Sequence, residues 1–288
     1  RIKRQSNYGT NCTMTRSFMK KLISLSFLLL SLSFAQGVVT QLDKGSVNYS
    51  EQTISAIGIG FVPQNAINAG QARRLALRIA KQDALRQLIE IVNGVTLTSE
   101  TTMSGAMVDD VINTKVRGFI RGARQNGDPK YLSDTSVEVE YSVPMSGISD
   151  IILPPLTLPV ASPGEAAAAP TSPNAGGITG VIIDARGLKA RPAMAPRILD
   201  QNGNAVYGPG TYSREYAVTN GVAGYSKSLE AAQKDARVMG NPLIIKGVAT
   251  AGTNRTDITV SNADVSKIDS ANRSYSVLKD CRVLILLD

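Results

Sequence analysis

The sequence contains no histidine, so carboxylates are the side chains whose type and spacing could support chemistry. Without histidine there is no Ser-His-Asp or Cys-His machinery, and the commonest metal ligand is missing. Glu138 and Glu140 lie two residues apart in a strand-like segment, so they would share one face and could act together on a glycosidic bond. An exposed sheet face also explains the pair.

Two short motifs resemble ligand-binding loops but lack essential residues. GIG at 58–60 could open a phosphate-binding loop, but Pro63 stands where G-x-G-x-x-G needs its third glycine. DQNGN at 200–204 begins like a calcium loop, but Ala205 occupies the position that needs glycine. We expect close strand packing at the first motif and a hairpin turn at the second. No catalytic, cofactor-binding or metal-ligating residue is predicted, so the protein is not expected to be an enzyme.

A compact basic cluster is a candidate contact patch. Four basic side chains would lie on one side of a predicted helix: Arg73, Arg74, Arg78 and Lys81. Proteins that bind single-stranded nucleic acid combine a basic groove with stacking aromatic side chains, and no aromatic residue is interleaved here. We expect a solvated face or a contact with an acidic partner, such as lipid headgroups or another subunit.

The first 35 residues have the pattern of an export signal. Lys20 and Lys21 precede an apolar run over 22–32, and SFA at 33–35 forms a small-x-small cleavage site. The run is shorter than the roughly 20 residues that span a bilayer. We predict a signal peptide within 1–35, cleaved before Gln36, and a mature chain without a transmembrane segment. The mature chain would be exported and secreted.

Cleavage would change both the charge and the cysteine count. The chain of 288 residues has a formal net charge of +8, but six of its 31 Lys and Arg residues and none of its 23 acidic residues fall within 1–35. The mature chain would be close to neutral, so nucleic acid is not an expected partner. It would retain one cysteine, Cys281, which we expect to be buried and unreactive because its segment is apolar.

A shift in composition divides the mature chain. Residues 153–177 are rich in Pro, Ala, Ser and Gly, which is typical of a semi-extended linker. The flanking segments, 36–152 and 178–288, are each predicted to form a small α+β domain in which a helix packs on an antiparallel sheet.

Local patterns predict the elements of both domains. Asn68 is an N-cap with Gln71 at capping-box spacing, and the helix that it starts ends at Gly94. The other elements of the first domain are strands over 47–62, 95–99, 116–124 and 136–143 and a short helix over 103–111. Those of the second are strands over 178–185, 243–250, 257–260 and 277–287, a hairpin over 196–207 with its turn at Asn202-Gly203, and a helix over 228–239.

The long helix over 69–93 changes its apolar side midway. Up to Ala80 the apolar residues oppose the basic cluster, whereas beyond Asp83 they lie on the side that was basic. Either the helix bends near Gln82, or a straight helix is covered on opposite sides by its own sheet and by a neighbour. The second interpretation makes four residues candidate subunit contacts: Leu85, Leu88, Ile91 and Val92. Burial of both stripes in one monomer would count against it.

Several segments between 47 and 152 carry a resemblance to a known family. They are VNYSEQTISAIGIGFVP, QARRLALRIAKQDALRQLIEIVNGVTL, SETTMSGAM, VRGFIRGAR and VEVEYSVPMSGIS. This part of the chain resembles the FlgP-like family of flagellum-associated bacterial outer-membrane lipoproteins. The resemblance implies non-enzymatic oligomers that build rings or disks around the flagellar motor beneath the outer membrane. The lipidated cysteine of that family is missing here, which puts membrane anchoring in doubt. The resemblance therefore implies an assembly in the periplasm or at the cell surface of a Gram-negative-type bacterium.

The part from 178 to 288 looks like a second module of similar envelope proteins with no known activity. The whole chain is therefore expected to be a self-assembling structural protein of the cell envelope, a homo-oligomer whose other partners are flagellar or outer-membrane components. One alternative is an extracellular filament subunit in which the C-terminal strand or the tail over 36–52 pairs between subunits. Another is an exported binding module, or a hydrolase that uses a carboxylate such as Glu138. No cofactor is expected.

Overall fold

The computed structural model of the chain describes residues 37–64, 66–153 and 177–288. The predicted signal segment and nearly all of the predicted linker lie outside the described residues. Residues 36–288 cluster as one compact unit, whose described part contains seven helices and two sheets. This confirms the predicted α+β class.

The first half contains an antiparallel sheet with the strand order β1-β2-β3-β5-β4, and α1 covers one of its faces. Its elements are β1 (Val39–Leu42), β2 (Gly45–Asn48), β3 (Thr53–Gly60), α1 (Ala69–Gly94), α2 (Met103–Ala106), α3 (Asp110–Arg121), β4 (Arg124–Tyr131), β5 (Val137–Pro144) and α4 (Met145–Ile152). Strand β5 has the predicted alternation, with its valines and Tyr141 buried and its glutamates half-buried.

The single strand predicted over 47–62 is wrong, because the chain turns between β2 and β3. The Asn48 side chain accepts hydrogen bonds from the backbone N–H groups of Ser50 and Glu51, at 3.1 and 2.9 Å. Gln52 then adopts a left-handed φ of 55°. An Asn side chain that binds the backbone two residues on favours a turn over continued strand pairing.

Helix α1 begins where predicted. The Asn68 side chain accepts from the Gln71 N–H at 2.9 Å, and Gln71 Oε1 accepts from the Ile67 N–H at 3.1 Å. Most of its buried residues recur every fourth position and face β3 and β5: Ala76, Ala80, Ala84, Leu88 and Val92. Because each step of four residues advances about 40° around a helix, this buried line winds from the Ala76 side of α1 to its Val92 side.

Gly58 and Gly60 set how closely α1 approaches β3. A Cβ atom at either glycine would collide with the helix backbone, at Ala80 and at Ala76. This confirms the prediction of close strand packing at GIG.

The strand predicted over 116–124 is also wrong, because most of this segment belongs to α3. The Asp109 side chain caps α3 by accepting from the N–H groups of Val111 and Ile112. Val116 and Ile120, four residues apart, are fully buried. A short apolar run fits a helix as well as a strand, and here the cap determines which one forms.

The second half contains a mixed sheet with the order β8-β7-β11-β10-β6-β12-β9, not the predicted antiparallel one. Its elements are β6 (Val181–Asp184), β7 (Ile198–Leu199), β8 (Ala205–Tyr207), α5 (Arg214–Asn220), β9 (Gly224–Ser226), α6 (Leu229–Lys234), β10 (Leu243–Ala251), β11 (Asp257–Val260), α7 (Asn262–Tyr275) and β12 (Val283–Leu286). Strands β10, β6, β12 and β9 are parallel neighbours. Helix α6 returns the chain from β9 to β10, and a helical crossover of this kind permits parallel strands.

Helix α7 was not predicted from the sequence. Ser261 caps it by accepting from the Asp264 N–H at 3.1 Å and donating to the Asp264 carboxylate at 2.7 Å. The buried residues of this helix are Ile268 and Ala271. The predicted strand over 277–287 is correspondingly shorter, since only 283–286 pair within the sheet.

The two halves share one hydrophobic core and a seam of backbone hydrogen bonds. Residues 95–99, predicted as a strand, contribute one bridge, from Thr96 to Thr102, and otherwise turn toward the second half. The Thr96 and Leu97 carbonyls accept from the N–H groups of Met194 and Ala195, and the Ser99 carbonyl accepts from Asn254 at 2.9 Å.

A buried ion pair completes the seam. The Asp257 carboxylate is fully buried and accepts from the Arg197 Nε at 2.7 Å and from the Arg197 backbone N–H at 3.0 Å. Ser99 from the first half donates its hydroxyl to the same carboxylate at 2.7 Å. The halves are therefore held as one body.

Candidate functional site

Strand β1 is an open edge of the first sheet. It pairs with β2 on one side, and its residues Val39, Thr40, Gln41 and Leu42 are all exposed. The Val38 carbonyl accepts from the Tyr49 N–H at 2.9 Å, which places the backbone groups of Val38, Thr40 and Leu42 toward β2. By alternation, those of Val39 and Gln41 point outward. This uncharged edge can accept another strand.

Strand β4, the opposite edge of the same sheet, is built differently. Its pairing with β5 shifts register between Asn126 and Lys130, where Gly127 has a φ of +72° and Pro129 lacks an N–H. The Lys130 ammonium donates to Glu138 at 2.8 Å. A bulge, a proline and a lysine are devices that prevent edge pairing.

The remaining edges among the described strands are short or covered. Strand β9 lies against the first half, where the Ser50 hydroxyl donates to the Tyr225 carbonyl at 2.8 Å. Strand β8 has three residues. Strand β3 extends beyond the end of β2. Asp83 covers its unpaired edge there, because its carboxylate accepts from the Ile59 N–H at 3.0 Å.

Asp83 is held in its charged form. Burial raises its pKa, but hydrogen bonds from the Ile59 N–H and the Arg86 guanidinium outweigh burial and leave the pKa below its usual value. Arg86 donates to it at 2.6 Å. A charged carboxylate thus covers a strand edge.

A cleft of about 910 Å³ opens beneath β1. Its walls are the Thr40 and Leu42 side chains, the second half of α1 and the segment at Arg191 and Pro192. Clefts at such a boundary between two parts of a fold are common binding sites. Lys44, Arg86 and Arg191 are balanced in part by acidic residues in the same wall, so the cleft does not select one charge.

The basic cluster is exposed as predicted: Arg73, Arg74, Arg78 and Lys81 all lie on the surface of α1. Two of these side chains, Arg73 and Lys81, have aromatic partners that were not predicted from the sequence. The Arg73 guanidinium lies 4.3 Å from the centre of the Tyr131 ring, and its Nε donates to the Tyr131 hydroxyl at 2.7 Å. Lys81 lies 5.6 Å from the ring of Tyr141. These tyrosines come from β4 and β5, far along the chain.

The four candidate subunit contacts belong to the core of this chain. Leu88 and Val92 are fully buried, Ile91 is nearly so, and Leu85 is half-buried. The apolar side of α1 beyond Asp83 thus packs within one monomer, which counts against these side chains as contacts between subunits.

The carboxylate candidates have ordinary structural surroundings. Glu138 and Glu140 lie on the sheet face away from α1, with Glu138 bound to Lys130. Asp200 closes the predicted hairpin turn, and hydrogen bonds from Asn204 and Asn202 hold its pKa below the usual value. Among the described residues, no group of three or more acidic, His or Cys side chains converges to hold a metal ion.

Cys281 is buried as predicted, and its burial raises the pKa of the thiol. In the part of the chain that the structure describes, no helix is both long and apolar enough to cross a bilayer.

Within the residues that the structure describes, the geometry defines an α+β protein of two fused halves in which β1 is an open strand edge. Residues 180–288, from the start of the second sheet to the end of the chain, match a family model described as the second domain of Treponema pallidum Tp0624. This likeness concerns a bacterial domain and gives no support to the FlgP-like resemblance of the first half. A comparison with curated proteins found no match.

Proposed function

We propose that this chain is a non-enzymatic, self-assembling structural protein of the bacterial cell envelope. The open edge of β1 carries the proposal. Natural sheets blunt or cover their exposed edges because bare backbone groups pair with other chains. This chain does so at β4 and β9 and leaves β1 uncharged, unbulged and exposed. An edge kept open beside protected ones is an assembly surface.

The finer assignment is an exported protein of a ring or disk associated with the flagellum. It rests on the signal-peptide pattern within 1–35 and on the resemblance of the first half to the FlgP-like family. The bacterial domain matched by the second half is compatible with this assignment. The exposed basic cluster on α1 offers a second contact surface for an acidic partner.

An extracellular filament joined through the C-terminal strand is disfavoured by the same geometry. Strand β12 lies between β6 and β9 and cannot pair outside its own sheet. Of the segment over 36–52, β1 is the part with an open edge.

Sedimentation velocity tests the proposal directly. The chain is expressed from its full sequence, purified as it accumulates in a bacterial host, and examined as its concentration is raised. We expect species larger than the monomer to grow with concentration. Protein that stays monomeric at the highest concentration would refute self-assembly.

The flagellar assignment needs a separate experiment. Removal of the gene from its bacterium should reduce motility and eliminate a ring or disk from electron tomograms of the motor. Unchanged motors would leave an envelope scaffold without a flagellar role.

A further inference from the structure

We infer that the partner of β1 is β1 of a second copy, paired antiparallel about a two-fold axis at Thr40. This inference deepens the proposed function and rests on it, because it names the partner of the open edge. The resulting dimer would join two sheets into one continuous sheet.

The other edges of the chain argue for this partner. Head-to-tail pairing would need a second open edge, and β4 is blocked by Pro129, Lys130 and a shift in register. Strand β9 is covered at Tyr225 by Ser50, and β8 has three residues. Among the described strands, β1 is the remaining edge, so β1 itself is the complementary surface. It carries no charge, so two copies meet without repulsion.

The register follows from which backbone groups point outward. Val39 and Gln41 direct their N–H and C=O groups away from β2, so each must face an outward residue of the partner strand. Val39 opposite Gln41 is the pairing that uses all of these groups on both strands. It places Thr40 opposite Thr40 of the second copy, in a non-hydrogen-bonded pair with closely spaced side chains.

The cleft gains a wall in this arrangement. Thr40 and Leu42 line the cleft beneath β1, so the added strand places its own Thr40 and Leu42 on the same side of the sheet. Leu42, which is 44% exposed, then lies opposite Val38 of the second copy and loses contact with water. Added strands are held in this way by backbone hydrogen bonds and alternate side chains.

Closure is a consequence of the two-fold axis. An isologous interface is satisfied by two copies, so β1 alone yields a dimer. A larger ring or disk must use another surface for its second contact.

Cysteine crosslinking tests the register. In a non-hydrogen-bonded antiparallel pair the Cα atoms are about 4.5 Å apart, within disulfide range. Thr40→Cys should form a disulfide dimer under oxidised glutathione, visible on a non-reducing gel. Leu42→Cys is the matched control and should remain monomeric on the gel, because Leu42 faces Val38. The unsubstituted chain controls for Cys281, which is buried.

Proline at 41 tests the backbone bonds. The Gln41 N–H points outward, so Gln41→Pro removes a donor to the partner without removing one to β2. We expect the dissociation constant of the dimer to rise about tenfold or more, whereas Gln41→Ala, which keeps the N–H, should leave it unchanged. Thermal unfolding of both variants checks that the fold is intact.

The outcomes separate the two proposals. Assembly that persists without a Thr40→Cys disulfide and without an effect of Gln41→Pro would overturn the β1 dimer and leave self-assembly standing. A disulfide through Leu42→Cys would overturn the register. A chain that is monomeric throughout would overturn both.

Discussion

The two edge strands of the first sheet, β1 and β4, differ in how far their unpaired backbone groups are protected from pairing with another strand. Strand β4 has eight residues and combines a positive-φ glycine, a proline and a lysine with broken register. Strand β1 has four residues, regular pairing and no charge. Both are edges of one sheet, and they differ in length, in regularity of pairing and in charge. The proposed function assigns pairing to β1 for this reason.

The largest effect is expected at the seam between the halves, because the seam keeps the β9 edge covered. Asp257→Ala leaves the Arg197 guanidinium and the Ser99 hydroxyl without their buried acceptor. We expect a loss of about 3 kcal/mol in the free energy of unfolding, measured with urea. Unfolding that parts the halves also uncovers β9 at Ser50, so we expect larger species to grow as the fraction of unfolded chain rises.

Asp184→Ala is the matched control for this substitution. It removes a carboxylate bound to Arg186 at 2.7 Å, near the surface. The cost should be below about 1 kcal/mol. Equal losses from the two substitutions would contradict a special role for the seam.

Removing the protection of β4 should change association next most. Pro129→Thr combined with Lys130→Val restores an N–H and deletes the charge, so β4 becomes more like β1. We expect association measured by sedimentation to strengthen by about tenfold or more, with species beyond the dimer. Pro129→Thr with Lys130→Arg keeps the charge and should associate less. Unchanged behaviour in both variants would show that these residues do not protect the edge.

The smallest effect concerns the edge of β3 that Asp83 covers. The pKa of Asp83 is lower in the folded chain, so its contribution to stability is present above the unfolded pKa of about 4 and is lost as pH falls through the folded value. Asp83→Asn should remove about 1 kcal/mol of stability at neutral pH and flatten this dependence. Urea unfolding between pH 3 and pH 7, taken as about the range in which carboxylates titrate, measures both changes. An identical pH slope in the two proteins would contradict this role of Asp83.

Features that depend on adjacent residues were predictable from the sequence. The Asn68 cap, the alternation of β5 and the turn at Asn202-Gly203 each follow from residues a few positions apart. The burial of Cys281 followed from the apolar character of its segment.

Features that depend on distant residues were not predictable in this way. Tyr131 reaches Arg73 across 58 positions, and no local pattern joins them. The local pattern showed the change of apolar side along α1, but not that Leu88 and Val92 are covered by this same chain, because that depends on contacts with distant segments. The direction of the strands in the second sheet depends on crossovers, which periodicity does not report.

The apolar periodicity of the sequence does not indicate the open edge at β1. Strand β1 is short and exposed on both faces, so its residues show no apolar alternation. An edge becomes recognisable only when its neighbours in the sheet are known.

The seam between the halves has a mechanical consequence. The carbonyls of Thr96, Leu97 and Ser99 are held by N–H groups spread over two segments of the second half. A force that pulls on β1 would reach these bonds together and not one after another. If copies pair at β1 as proposed, a scaffold built from them should stretch at the contacts between copies before any subunit comes apart, and those contacts would be the elastic element of the assembly.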